Sequence, residues 1–185
     1  MVAFFVSVLA PPPRPRPPAP APRDMSDSPP ALREQLRRIL SWQDAHVGFE
    51  KAVEGLASKL RGVRVEGFPH SAWELLEHLR ITQRDILDFC RDPKYEEMNW
   101  PEDYWPKSPA PPSDKAWGDS ISAFREDRAA LEALAMDESI DLFAKIPHGS
   151  GQTYIREILL VADHNAYHLG QLVVVRQQLG AWGKA

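Results

Sequence analysis

One amphipathic stretch near the C-terminus constrains the fold most. Between residues 155 and 179, apolar side chains recur at steps of three and four, the period of an α-helix that buries one face. His164 and His168 fall within this stripe, one turn apart. The apolar members of the stripe are Tyr154, Ile158, Val161, Leu172, Val175 and Leu179. The pattern predicts one long helix that directs both imidazoles into the protein.

Three further amphipathic segments precede this helix. The first is predicted as a continuous helix from Ala31 to Leu60, and the second runs from Ser71 to Cys90. The second segment opens with Ser-x-x-Glu, a capping box in which each side chain satisfies a backbone N–H. The third spans Asp114 to Ala135, and a short helical turn is expected at Ser139–Phe143. Four helices without an alternating strand pattern predict an all-α four-helix bundle.

A long connection separates the second and third predicted helices. Residues 93–112 are rich in proline, which lacks the N–H donor of regular structure, so this connection should be irregular. Connections of this length in a compact domain are often functional. Tyr104 and Trp105 within it could form a lid over a site in the bundle, or could plug its end.

The first 30 residues differ in composition from the rest. Proline and arginine dominate residues 11–30, which cannot bury enough apolar surface to fold. We therefore expect a disordered segment at 1–30 followed by one domain at 31–185. Met25 opens a sequence typical of a cytosolic start, so that residues 1–24 would precede the true start. The apolar residues 1–10 leave an export signal as the alternative, although no basic residues come before them.

Charge and cysteine content limit the functional classes. The net charge of −4 argues against nucleic-acid partners, which require clustered Lys and Arg. Cys90 is the only cysteine, which excludes an internal disulfide and a cysteine-rich zinc site and fits a reducing cytosol. We expect its thiol to be buried in packing. No apolar run approaches the roughly 20 residues of a membrane helix. A cytoplasmic protein without membrane or nucleic-acid partners is expected.

A third histidine could complete a metal site with the C-terminal pair. His78 lies near the edge of the apolar face of the second helix, and facing helices approach to about 8–10 Å between axes. His78 could therefore meet His164 and His168 across the core. Three histidine ligands leave coordination positions open, as in catalytic metal sites. Hydrogen-bonded core histidines are the alternative, and the spacing alone does not separate the two.

The residues around these histidines resemble the DinB/YfiT-like superfamily. The runs Ala162–Gln171 and Ser71–Leu79 carry the resemblance, which extends over the chain after its first 30 residues. Family members have one histidine on the second helix and His-x-x-x-His on the last. These match His78, His164 and His168. The resemblance implies a four-helix bundle holding a divalent metal ion, nickel or zinc, and imidazole ligands also suit iron.

The resemblance also implies classes of function. Related proteins are often transferases that join a low-molecular-weight thiol, such as bacillithiol or mycothiol, to an electrophile, and others are isomerases or hydrolases. We therefore predict a metal-dependent enzyme acting on a small molecule. The alternative is a stress-related, dimeric metal-binding bundle without turnover. Trp73 and Leu87 fall off the main core stripe and could form a homodimer face, or could cover loops.

Other residues are secondary candidates. His46, on the inward stripe of the first predicted helix, could line the pocket or carry protons, or could be a core histidine. Arg128 could receive an anionic substrate group or extend along the surface. Asn165 could orient an imidazole, or could be a solvated residue. His70 and His148 lie in loops beside prolines, with no expected role.

Overall fold

The computed structural model describes residues 29–183. Its helices are α1 (Pro30–Ile39), α2 (Phe49–Val53), a short 3-10 helix (Ser58–Leu60), α3 (Ala72–Arg91), α4 (Asp114–Met136) and α5 (Tyr154–Gln178). Within 29–183 there is no strand, apart from an isolated bridge between Lys145 and Thr153. The all-α prediction is confirmed for this part of the chain. None of these helices has both the length and the apolar run needed to cross a bilayer. The expectations for residues 1–28, including a start at Met25, lie outside the described residues.

Helix α3 is the central element, because it packs on both α4 and α5. It begins with the predicted capping box: Ser71 Oγ accepts from the backbone N–H of Glu74, and the Glu74 carboxylate accepts from that of Ser71 at 2.8 Å. Residues 92–113 follow without helix or strand and lead to α4. Leucines of α3 then form the core with Phe124 of α4 and Leu172 of α5.

The buried stripe of α5 follows the predicted period, with one difference. Ile158, Val161, Leu172 and Val175 are buried as expected. Asn165 and Leu169 are buried as well, and they occupy the centre of the stripe between those apolar residues. His164 and His168 therefore lie at its edge and are half-buried rather than fully inward.

The first predicted helix is not continuous. Helix α1 ends at Ile39, residues 40–48 form turns and bends, and α2 begins only at Phe49. A side chain at Gly48 would collide with Gln43, since a Cβ there would lie 2.7 Å from Gln43 Cγ. The predicted helix over Ala31–Leu60 is therefore wrong: α1 packs mainly on α4, whereas α2 packs on α5, and the chain must turn between them.

The predicted helical turn at Ser139–Phe143 is also absent. The Asp137 carboxylate accepts from the backbone N–H of Ser139, and the Asp141 carboxylate accepts from that of Phe143, each at 2.9 Å. Aspartate side chains that bind the backbone two residues on favour isolated turns over helix. The segment between α4 and α5 is thus a series of turns.

A buried arginine fixes α1 against the end of α4. The Arg33 guanidinium donates to the backbone carbonyls of Ala135, Asp137 and Ile140, at 3.0, 2.8 and 2.5 Å. The last carbonyls of a helix have no partner within the helix, so this side chain satisfies groups that would otherwise be unpaired. Arg33 thereby joins the N-terminal helix to the main packing unit.

The two residues considered for a dimer face belong to the core. Trp73 packs near Trp117, with ring centroids 6.4 Å apart, and Leu87 packs among apolar residues of α1, α4 and α5. Both side chains are buried within the chain. They therefore provide no external face for a second copy.

Candidate metal centre

Three histidines from two helices converge on one point. His78 lies on α3 and is 2% exposed, while His164 and His168 lie on successive turns of α5. Their ring centroids are 4.6 to 4.9 Å apart. One ring nitrogen from each lies within 4.8 Å of the others, and Nε2 of His78 is 3.1 Å from Nε2 of His164. The three imidazoles are thus positioned to hold a metal ion.

Two of the three rings have their orientation fixed by an oxygen acceptor. Nδ1 of His78 donates to the backbone carbonyl of Tyr104, and Nδ1 of His168 donates to Oε1 of Gln171, each at 2.7 Å. Because these oxygens only accept, we assign the ring proton to Nδ1, which leaves the Nε2 lone pair free. Metal-binding histidines are held in this way by a partner on the nitrogen that does not bind the ion.

The environment keeps these imidazoles neutral. Burial lowers the pKa of His78 to about 4, and repulsion from His168 acts in the same direction. Burial also lowers the pKa of His164 to about 4 and depresses that of His168. Neutral imidazole is the form that binds metal. Two Nε2 atoms facing each other at 3.1 Å need a proton or a cation between them, so the donor set fits a divalent ion such as zinc or nickel.

Comparison with known proteins agrees with this arrangement. A family model described as the DinB superfamily matches residues 41–172, which include all three histidines. The chain belongs to the DinB superfamily. No curated protein and no solved structure matches it. The resemblance seen in the sequence is therefore confirmed at the level of the superfamily.

In this DinB-superfamily chain, the long connection covers the histidines. The Trp105 indole stacks on His78 and on His70, with ring centroids 3.8 Å apart in both pairs and interplanar angles of 2° and 11°. Two nearly parallel rings at the same distance must lie on opposite faces of the indole. Trp105 thus covers His78 at the position expected of a lid. Tyr104 contributes its backbone carbonyl, and its hydroxyl donates to Asp85 at 2.8 Å.

His70 is part of this arrangement, although no role was expected for it. It comes directly before the N-cap of α3, and burial lowers its pKa. Its position next to the start of α3 was visible in the sequence. The return of Trp105 to that position depends on the path of the 92–113 connection, for which the sequence contains no signal.

The two secondary candidates for catalysis do not join the histidines. His46 and Arg128 line a cavity of about 440 Å³, walled on one side by Ala162, Ala166 and Leu169 of α5. The three α5 residues of this wall lie on the flank of the helix away from His164 and His168. His46 is exposed, because α1 ends before it, so its predicted place on an inward helical stripe is wrong. Arg128 pairs with Glu50 at 3.2 Å.

Cys90 is placed as expected. The thiol is buried at the end of α3, where burial raises its pKa to about 12. A thiol that stays protonated at neutral pH is a poor nucleophile and a poor metal ligand. This placement agrees with a packing role.

Proposed function

We propose that the chain is a metal-dependent enzyme of the DinB superfamily, in which His78, His164 and His168 hold one divalent ion, nickel or zinc. The observation that carries the proposal is the convergence of three neutral imidazoles, two of which have Nδ1 bound to an oxygen acceptor. Three protein ligands leave positions open for a water or a substrate. The longer helices α1, α3, α4 and α5 would then form the four-helix bundle that the resemblance implies.

The proposed reaction acts on a small molecule. A bound divalent ion lowers the pKa of a coordinated water or thiol, and so supplies a nucleophile near neutral pH. Tyr104 and Gln171 orient two of the ligands, and Trp105 shields His78 from water. From the family resemblance, we propose transfer of a low-molecular-weight thiol to an electrophile in the cytoplasm. Hydrolysis is the second reaction of this class.

One observation favours a second function, metal binding without turnover. Trp105 stacks face to face on His78, which is almost fully buried, so the centre is closed on that side. A site closed in this way can hold an ion without admitting a substrate. The two proposals share the metal ligands and differ in whether turnover accompanies binding.

Elemental analysis of freshly purified protein tests the metal site. We expect about one equivalent of nickel or zinc in the wild type and close to none in His164→Ala/His168→Ala, because two of three ligands are lost. The matched control is His46→Ala/His148→Ala, which removes two histidines outside the triad and should keep its metal. Equal, near-zero metal in the wild type and the triad variant would refute the proposal.

A screen of thiols with electrophiles, with nickel or zinc restored, tests turnover. We expect activity in the wild type and in the His46→Ala/His148→Ala control, but not in the triad variant. Turnover that survives in the triad variant, or in the same variant with His78→Ala added, would contradict the metal-dependent mechanism. A wild type that binds metal tightly and turns over none of the thiols would favour the second function.

A further inference from the structure

Two buried polar atoms beside the triad lack partners. Within residues 29–183, Nδ1 of His164 and Oδ1 of Asn165 are the buried side-chain atoms without a hydrogen-bond partner. They belong to consecutive residues of α5, and both atoms are buried. An unpaired buried donor or acceptor is costly, and a ring N–H and an amide oxygen are the donor and the acceptor that would satisfy each other.

The orientation of the Asn165 amide is determined by a backbone carbonyl of α4, through Gln83. Gln83 Nε2 donates to the backbone carbonyl of Phe124 at 2.7 Å, and Gln83 Oε1 accepts from Asn165 Nδ2 at 3.0 Å. A backbone carbonyl only accepts, so Gln83 must present its amino group to α4 and its oxygen to Asn165. Asn165 must then turn its own amino group to Gln83, which leaves Oδ1 as the free end. Both side chains are buried, at 1% and 4% exposure.

We propose that Gln83 and Asn165 form a relay that orients His164: Asn165 Oδ1 accepts the Nδ1 proton of His164, so that Nε2 faces the metal ion. This inference rests on the proposed metal site. Each ligand would then have its own acceptor on Nδ1, namely the Tyr104 carbonyl for His78, Gln171 for His168 and Asn165 for His164. Gln83 and Asn165 are positioning residues, because they act through the ligand.

Zinc affinity, measured by competition with a chelator, gives the first test. We expect Asn165→Leu to weaken zinc binding about 10- to 100-fold, the usual effect of losing such a partner. Gln83→Met should weaken it less, because Asn165 remains but its amide is free to flip. The matched control is Ser120→Ala, which removes another α3–α4 hydrogen bond, from Ser120 Oγ to Glu77 at 2.7 Å. Neither Ser120 nor Glu77 makes a hydrogen bond to a triad histidine, so the dissociation constant of this variant for zinc should stay within about twofold of the wild type.

The exchange of ring N–H protons in the zinc-loaded protein gives the second test, by nuclear magnetic resonance. In the wild type we expect slow exchange at Nδ1 of all three ligands. In Asn165→Leu and Gln83→Met, only the His164 signal should exchange faster, whereas those of His78 and His168 should not change. General loosening of the fold would affect all three signals, so this measurement separates positioning from stability. If Asn165→Leu does not fold, Gln83→Met alone decides the test.

The outcomes separate this proposal from the one on which it rests. A wild type that binds no zinc refutes the metal site itself. A wild type that binds zinc, with folded variants that keep its affinity and its His164 exchange rate, overturns the relay and leaves the metal site standing. A selective change at His164 together with weaker binding supports both.

Discussion

The two flanks of α5 offer different kinds of space. On one flank, three imidazoles converge, and oxygen acceptors orient at least two of them. On the other flank lies a cavity of about 440 Å³, lined mainly by apolar side chains, whose arginine already pairs with Glu50. The histidine flank needs a cation to complete its polar contacts, whereas on the cavity flank Arg128 is already paired and Asn165 keeps one buried oxygen without a partner. The comparison teaches that oriented polar atoms, more than volume, identify a chemical site.

The largest expected effect comes from removing the α3 ligand. His78→Ala should weaken metal binding by more than about 100-fold, since even the outer partners of metal ligands contribute 10- to 100-fold. Isothermal titration of the metal-free protein with zinc measures this. His70→Ala, on the opposite face of Trp105, is the control and should bind zinc nearly as the wild type does. Equal losses in both variants would show that the stack, not ligation, determines affinity.

The next prediction concerns Arg33, whose loss should lower the stability of the fold without changing zinc binding on the histidine flank. Arg33→Met removes three hydrogen bonds to carbonyls near the end of α4, and we expect a loss of about 3 kcal/mol in the free energy of unfolding. Because α1 walls the cavity but not the triad, zinc affinity of the folded variant should not change. Urea denaturation and zinc titration together check this. A parallel loss of zinc affinity would mean that the two flanks are coupled.

The Trp105 indole, which covers His78, gives a prediction about the rate of metal release. Trp105→Ala should raise the rate at which a chelator removes the metal by about tenfold, equal to about 1.4 kcal/mol, because the indole no longer covers His78. Trp42→Ala is the matched control: this tryptophan is 44% exposed and lines the cavity flank. Stopped-flow chelation compares the two. Equal rates in all three proteins would exclude Trp105 as a barrier to metal exchange.

The smallest effect is in the pH dependence of the metal-free protein. The pKa values of His78 and His164 are lowered to about 4 by burial, below the usual 6.5, so the unfolded chain binds more protons between these values. The contribution of these two neutral histidines to the free energy of unfolding is therefore present above pH 6.5 and is lost as the pH falls towards 4. Between pH 6.5 and 5 we expect a loss of about 1 kcal/mol. Urea melts of the wild type and of His78→Leu, whose profile should be flatter, test this.

The parts predictable from the sequence were those with local signals. The capping box fixed the start of α3, the apolar period fixed α5, and the spacing of His164 and His168 placed their imidazoles together. The meeting of His78 with this pair was expected because the second and last helices of a bundle face each other, and the family resemblance pointed to the same residue. In each case, the residues that decide the structure lie within one helix or face each other directly.

The parts that the sequence did not predict depend on distant contacts. The apolar period of residues 31–60 continues through a segment where the chain turns, because α1 and α2 pack on different helices. The sandwich of Trp105 between His70 and His78 depends on the path of a 22-residue connection without helix or strand. The relay through Gln83 required knowing which backbone carbonyl of α4 faces α3.

The acceptor for His78 has a consequence for comparing this chain with its relatives. The oxygen that binds Nδ1 of His78 is the backbone carbonyl of Tyr104, so any residue type at position 104 presents the same atom. A substitution there keeps the acceptor atom, although it removes the hydroxyl that donates to Asp85, whereas an insertion or deletion in the connection would move the carbonyl away. Loop length, rather than residue identity, is therefore the quantity to compare when asking whether another protein supports its α3 histidine in the same way.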